Sequence, residues 1–353
     1  DFFKEKAFHC RIGSCDPETL YAMLARRGLS FEQAGMMIHG ACLFAIPYYF
    51  EWGFPYIEIE RGLGGSLNMQ VSLAYLRGAW KQYGRKAHWG IDFSTHQPNY
   101  NQCNWYDEEG RRVGGFSESL VFRCWVSSWF GGAEYLLCEG SDYTHWVFSR
   151  DGSFSLSDLG KAAQVFADLT LRSGIERGEP LAPAAVLLSY CNGYEQESGV
   201  HIMHPVVWGN CLPYNAQDLH IGNIFSEFFP GQEHISSRSE KVANPDCPYS
   251  TRQEYLAMQR NGVDLRSCEG GFLTPSPYGD SIEVLWDNAP MQVLREYPVL
   301  IPAGTAVLPE NVLEEYVALG GTLAVSLCQL TGKMQEKLGI KSLSPLASDW
   351  DYD

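Results

Sequence analysis

No apolar stretch in this sequence approaches the ~20 residues that a helix needs to cross a bilayer, so a helical membrane span is not expected. There is no run of Lys and Arg: 26 basic residues stand against 42 acidic ones, for a formal net charge of −16. Nucleic acid and anionic membrane surfaces are poor partners for such a chain on electrostatic grounds. No phosphate loop is present. The cluster Gly62, Gly64, Gly65 fails as a dinucleotide fingerprint, because the third glycine of G-x-G-x-x-G would fall at Leu67. A nucleotide-binding enzyme therefore ranks last, and no cofactor is expected. The 11 cysteines are odd in number and scattered, with no C-x-x-C pair and no Cys/His cluster at zinc spacing. They read as small buried hydrophobes; no metal is expected, and the compartment stays open between cytoplasm and periplasm or exterior. A signal-peptide pattern is missing and the first residue is Asp1, so a processed or truncated longer chain is the expectation.

What is abundant is aromatic surface. Ten Trp, 19 Tyr and 18 Phe make up 13% of the 353 residues, and many stand beside Gly, Asn, Asp and His. Flat amphipathic rings in polar company suit sugar binding, although most serve the core. The length predicts two domains.

Along the chain, strands alternate with helices. Asp16 and Pro17 open a helix that Gly28 stops, and a Ser30/Gln33 capping box predicts a second helix running toward Pro47. In FPYIEIERGLGG, 54–65, Glu58 and Glu60 share one strand face while Ile57 and Ile59 share the other. A helix over 67–83 follows, ended by Gly84. The strand KAHWGIDFST, 86–95, carries Trp89 and Asp92, then opens into a loop with His96, Asn99 and Trp105. That loop composition suits a carbohydrate subsite. A helix over 117–130 leads to GGAEYLLCEGSDYTHW, 131–146, read as a strand buried on both faces that ends at Glu139, with His145 and Trp146 close behind. Ser155 or Ser157 starts an amphipathic helix ending near Gly174. Three strand–helix units, each closing its strand on an acid, predict a parallel β/α arrangement with ligands at the carboxyl edge.

RGEPLAP, 177–183, marks a boundary between residues 1–176 and 184–345. Beyond it, AAVLLSY (184–190), IEVLW (282–286), PVLIPAG (298–304) and TLAVSLCQL (322–330) read as strands of a small doubly wound, flavodoxin-like unit, with helices near 250–259 and 309–319.

This order of parts, and above all YPVLIPAGTAVLPENVLEEYVALGGTLAVSL, resembles the β-galactosidases of glycoside hydrolase family 42, over about 184–330 and more loosely over 54–172. The resemblance implies an α/β protein built of the carboxyl-terminal part of a (β/α)8 TIM barrel followed by a class I amidotransferase-like trimerisation domain. It implies a homo-oligomer, dimer or trimer, and a carbohydrate substrate. The family's nucleophile, a glutamate, would fall at or beside Asp92, and its general acid/base would lie upstream of Asp1. The amidotransferase-like unit lacks a cysteine nucleophile after its 298–304 strand, where Thr305, Ala306 and Val307 stand. Its expected job is binding or assembly.

Glycoside hydrolysis needs two carboxyl groups flanking the bond. The candidates are Glu60, Asp92 and Glu139, with Asp92 or Glu139 as nucleophile or charge stabiliser and Glu60 as acid or substrate ligand. Glu58, Trp89, His96, Trp105, His145 and Trp146 are the expected substrate contacts. A non-catalytic carbohydrate-binding or assembly protein, and a polysaccharide lyase using His96 or a tyrosine as base, are the alternatives.

Overall fold

The alternation in residues 56–60 becomes a strand with one acidic and one apolar face, and the rest of the first sheet is registered on it. The computed structural model describes residues 24–39, 43–62, 69–94, 105–106, 112–114, 118–191, 216–229 and 278–340, together with position 22. Its first sheet is open and all parallel, in the order β1 (Met37–Ile38), β2 (Tyr56–Gly62), β3 (His88–Ser94), β6 (Tyr135–Leu137). Ile57 pairs with Trp89 and Ile59 with Ile91 in the β2–β3 register, and all four are buried. On the other face, Glu58 pairs with Gly90 and Glu60 with Asp92.

Helix α1 (Ile46–Glu51) precedes β2, and α2 (Met69–Gln82) joins β2 to β3. The chain then forms a small ribbon of β4 (Trp105–Tyr106) and β5 (Arg112–Gly114), followed by α3 (Glu118–Phe130). After β6 come a single turn, α4 (Ser141–Thr144), and a hairpin of β7 (Trp146–Phe148) with β8 (Phe154–Leu156). Ser157 then caps α5 (Asp158–Leu171) by accepting the Gly160 N–H at 3.0 Å.

The second sheet is also parallel, in the order β10 (Ile282–Trp286), β9 (Ala184–Leu188), β11 (Val299–Pro302), β12 (Thr322–Leu323). Counted from β9 this is 2-1-3-4, the start of a doubly wound order. Every residue of β9 and β10 is buried, as suits strands of a parallel sheet that is covered on both faces. Helices α6 (Ala216–Phe228), α7 (Met291–Leu294), α8 (Glu310–Ala318) and α9 (Gly332–Lys337) complete the described elements. No helix among the described residues is long and apolar enough to cross a membrane.

Helix α2 belongs to both sheets. It is buried on nearly every side, and a single apolar cluster runs from Ile57 and Ile91 through Leu73 and Leu76 to Val186, Val284 and Trp286. Gly78 lets the helix backbone lie against β10: a Cβ there would fall 1.7 Å from the Val284 carbonyl oxygen. One acid interrupts the apolar run of β10. Glu283, fully buried, is answered by Lys81 at 2.8 Å, by Arg77 at 3.2 Å and by the Tyr297 hydroxyl at 2.5 Å. Arg77 also forks onto Asp280, both bonds at 2.9 Å. Residues 177–183 form neither helix nor strand, and the apolar core continues from the elements before them to those after.

Several expectations are corrected. The Ser30/Gln33 box forms, but only turns follow it: Gly35 takes φ 60° and the chain then enters β1 instead of a helix to Pro47. Pairing with β2 outweighs the helical spacing of Met37, Ile38 and Ala41. β6 is three residues long and partly exposed at the sheet edge, not buried on both faces. Of 322–330 only Thr322–Leu323 is strand, and Leu327–Gln329 turns into a 3-10 helix closed by a Ser326/Gln329 capping box. Most of the first helix and the 250–259 helix lie outside the described residues.

Candidate functional site

Parallel register assembles the site on the acidic face of the first sheet, from the end of β1, the middle of β2 and the carboxyl half of β3. Ile38 pairs with Ile57, so the next residue, His39, arrives beside Glu58. The imidazole Nδ1 and Glu58 Oε1 form a short hydrogen bond. From its other edge, His39 Nε2 lies 3.8 Å from Asp92 Oδ2 and 3.9 Å from Glu60 Oε2. Three carboxyl groups from two adjacent strands thus surround one imidazole.

Their exposures differ, and the difference sets their chemistry. Glu58 is 0% exposed and Asp92 2%, whereas the Glu60 side chain is 23% and the His39 side chain 49% exposed. Glu58 Oε2 is buried with no hydrogen-bond partner. Burial first, and then repulsion from Asp92 and Glu60, pushes the Glu58 carboxyl up to about 7 against the opposing pull of His39. Asp92 is also raised, chiefly by burial; the Glu139 backbone N–H, donating to its Oδ1 at 3.1 Å, works the other way. His39 is raised as well: burial opposes the imidazolium, but the bond to Glu58 and the charges of Glu58, Asp92 and Glu60 outweigh it.

Gly90 makes room for the neighbouring wall. It sits between Glu58 and Tyr135 in the register, and a Cβ there would lie 2.5 Å from the Tyr135 ring. The Tyr135 hydroxyl donates to the Ile57 carbonyl at 3.1 Å, and burial raises its pKa, with Glu58 adding to the effect.

Of the residues expected at the site, the structure brings Glu58, Glu60 and Asp92 together. Glu139 touches Asp92 through its backbone N–H, while the residue itself is exposed. Trp89 is a correction: strand alternation turns it to the opposite face, where it is 2% exposed and covers Gly132. His145 is a second correction. It is buried in the helical layer, stacked on Trp125 at 6.0 Å, with Nδ1 3.1 Å from Thr144 Oγ1, and burial lowers its pKa. Trp146 lies on the β7–β8 hairpin beside Phe154, 37% exposed. Trp105 contributes backbone pairing to β4–β5; its side chain, and all of His96, lie outside the described residues.

His39 and Tyr135 were missed. The signal for His39 was present in GMMIHG, where two glycines bracket a short apolar run that ends on a histidine. Reading that run as helix hid it. His39, Glu58 and Asp92 are also a set that could hold a metal ion, since one donor atom from each lies within 4.8 Å of the others.

A scan against protein-family models returns no match, and no curated protein matches the sequence.

Proposed function

We propose that this protein hydrolyses glycosides, β-galactosides or related oligo- and polysaccharides, with Glu58 and Asp92 as the working carboxyl pair. The observation that carries the reading is the fully buried Glu58, one oxygen without a donor, close to Asp92 on the acidic face of a parallel sheet. A carboxyl so placed favours its protonated form and can deliver a proton to a leaving oxygen. Donor atoms of Glu58 and Asp92 within 4.8 Å of each other support the short separation, roughly 5 to 5.5 Å, of retaining enzymes over the longer one of inverting enzymes.

In this scheme Asp92 attacks the anomeric carbon while Glu58 protonates the departing glycosidic oxygen. Water, deprotonated by Glu58, then displaces Asp92. The Glu139 N–H fixes one Asp92 oxygen and leaves Oδ2 turned toward His39 and the site. Glu60, nearer the rim, holds sugar hydroxyls. The same proposal takes the first sheet as part of a (β/α)8 barrel, supported by its sequential parallel order and its polar carboxyl edge. The second sheet is taken as the flavodoxin-like, amidotransferase-like unit, supported by its 2-1-3-4 order.

The test is turnover of a panel of aryl β-glycosides by the parent protein and by Glu58→Gln, Asp92→Asn and Glu60→Gln. Loss of the acid costs on the order of 10²–10⁴-fold in kcat. Asp92→Asn costs at least as much, and Glu60→Gln acts mainly on KM. Turnover by the parent that none of the three changes diminish refutes these roles.

A further inference from the structure

We infer that His39, Glu58 and Asp92 form a binding site for a divalent first-row transition metal ion such as Zn²⁺, Mn²⁺ or Co²⁺. The inference goes beyond the hydrolase reading and rests on the burial, the unpartnered oxygen and the geometry of the cluster.

Charge balance is the first ground. Glu58 and Asp92 both lie against the His39 imidazole, and both are essentially out of solvent. Buried carboxylates persist when they are paired or bound to a metal. The second ground is independent of the first: Glu58 Oε2 is buried and has no hydrogen-bond partner, so a donor or a cation is owed to it. Geometry is the third. Bonds of about 2.0–2.2 Å in tetrahedral array hold donor atoms roughly 3.4 Å apart. The three side chains already offer donors within 4.8 Å of one another, and His39 Nε2 stands 3.8 Å from Asp92 Oδ2. The half-exposed imidazole gives an ion its route in.

The supports behind the donors fit as well. Asp92 Oδ1 is held by the Glu139 N–H, which leaves Oδ2 as its free ligand atom and fixes the carboxylate plane, the role that outer hydrogen bonds play around bound metals. One imidazole with two carboxylates selects a borderline transition ion over the all-oxygen cages that suit Ca²⁺ or Mg²⁺. Three protein ligands would leave a fourth position for water. An ion seated there takes Glu58 as a ligand and leaves it no proton to donate, so metal occupancy and acid catalysis by Glu58 exclude each other.

The experiment is titration of the full chain with Co²⁺, reading the visible ligand-field absorbance, with Zn²⁺ displacement as a second readout. One equivalent binds the parent protein. His39→Ala and the near-isosteric Asp92→Asn each weaken binding by about 100-fold or more. Circular dichroism matching the parent shows that the variants are folded, and Asp92→Asn serves alone if His39→Ala is not. Absence of stoichiometric Co²⁺ binding by the parent, or binding that survives both changes, overturns the inference. No glycoside enters this assay. A chain that binds Co²⁺ and cleaves no glycoside keeps the metal site and loses the hydrolase reading, and one that cleaves glycosides without binding Co²⁺ does the reverse.

Discussion

Replacing Gly78 by alanine should unfold this protein more easily, against the ordinary preference of helices. In an exposed helix interior, Gly→Ala stabilises by about 1 kcal/mol, because alanine restricts the unfolded backbone. At position 78 the added Cβ meets the backbone of β10: it lies 1.7 Å from the Val284 oxygen, 2.5 Å from its carbonyl carbon and 2.9 Å from its nitrogen. Ordinary contact begins at 3.4 Å, so helix and strand would have to part by about 1.7 Å. Neither yields cheaply, because α2 is buried on nearly every side and Arg77, Lys81 and Gln82 tie it to Asp280, Glu283 and Asn288. Overpacking against side chains costs about 1–3 kcal/mol; against backbone that is held from both sides we expect ~3 kcal/mol or more. Urea unfolding followed by tryptophan fluorescence and by far-ultraviolet circular dichroism measures it. A variant as stable as the parent, or more stable, refutes the claim that α2 is wedged against the second sheet.

Three further outcomes follow from named contacts. Arg77→Met leaves buried Glu283 with Lys81 and Tyr297 alone and should cost about 3 kcal/mol, part of which Glu283→Gln recovers in the double variant, by urea midpoint. Ser157→Ala removes both the α5 cap and the 2.7 Å bond to the buried Thr144 carbonyl, for roughly 2 kcal/mol by the same measure. His145 has a pKa depressed by burial from its ordinary 6.5, so the fold prefers the neutral ring. Its contribution is intact above that value and is lost as pH falls below it, so the stability difference between about pH 7.5 and about pH 5.5 should shrink in His145→Phe. An unchanged acid-side slope contradicts that assignment.

Much of the fold is legible in the sequence because the signals are local. Ser155 or Ser157 as cap, Gly84 as helix stop, and IEVLW as a strand are written in one to five residues each, and the structure selects Ser157. The acidic face of β2 follows from alternation alone, and parallel pairing with β3 then brings Glu60 to Asp92. What could not be read was long-range pairing. Met37 and Ile38 suit a helix or a strand equally well, and only the neighbouring edge of β2 decides between them; with that decision His39 enters the site. From the sequence Glu58 reads as a contact and not as a central group, because the alternation that orients it says nothing about depth. Depth comes from the second row, where Gly90 and the Tyr135 ring close over it. Trp89 and His145 misled for the converse reason. Both are chemistry-bearing residues a few positions from an acid, yet one turns to the other face of the sheet and the other drops beneath α3.

The most direct measurement is mass spectrometry of the intact and protease-digested protein after incubation with 2,4-dinitrophenyl 2-deoxy-2-fluoro-β-galactoside and related fluoroglycosides. The account predicts one fluoroglycosyl group per chain, carried on the peptide that contains Asp92, with the label lost in Asp92→Asn. A label on another carboxyl, or turnover of the parent glycoside with no trapped intermediate, would contradict Glu58 and Asp92 as acid and nucleophile.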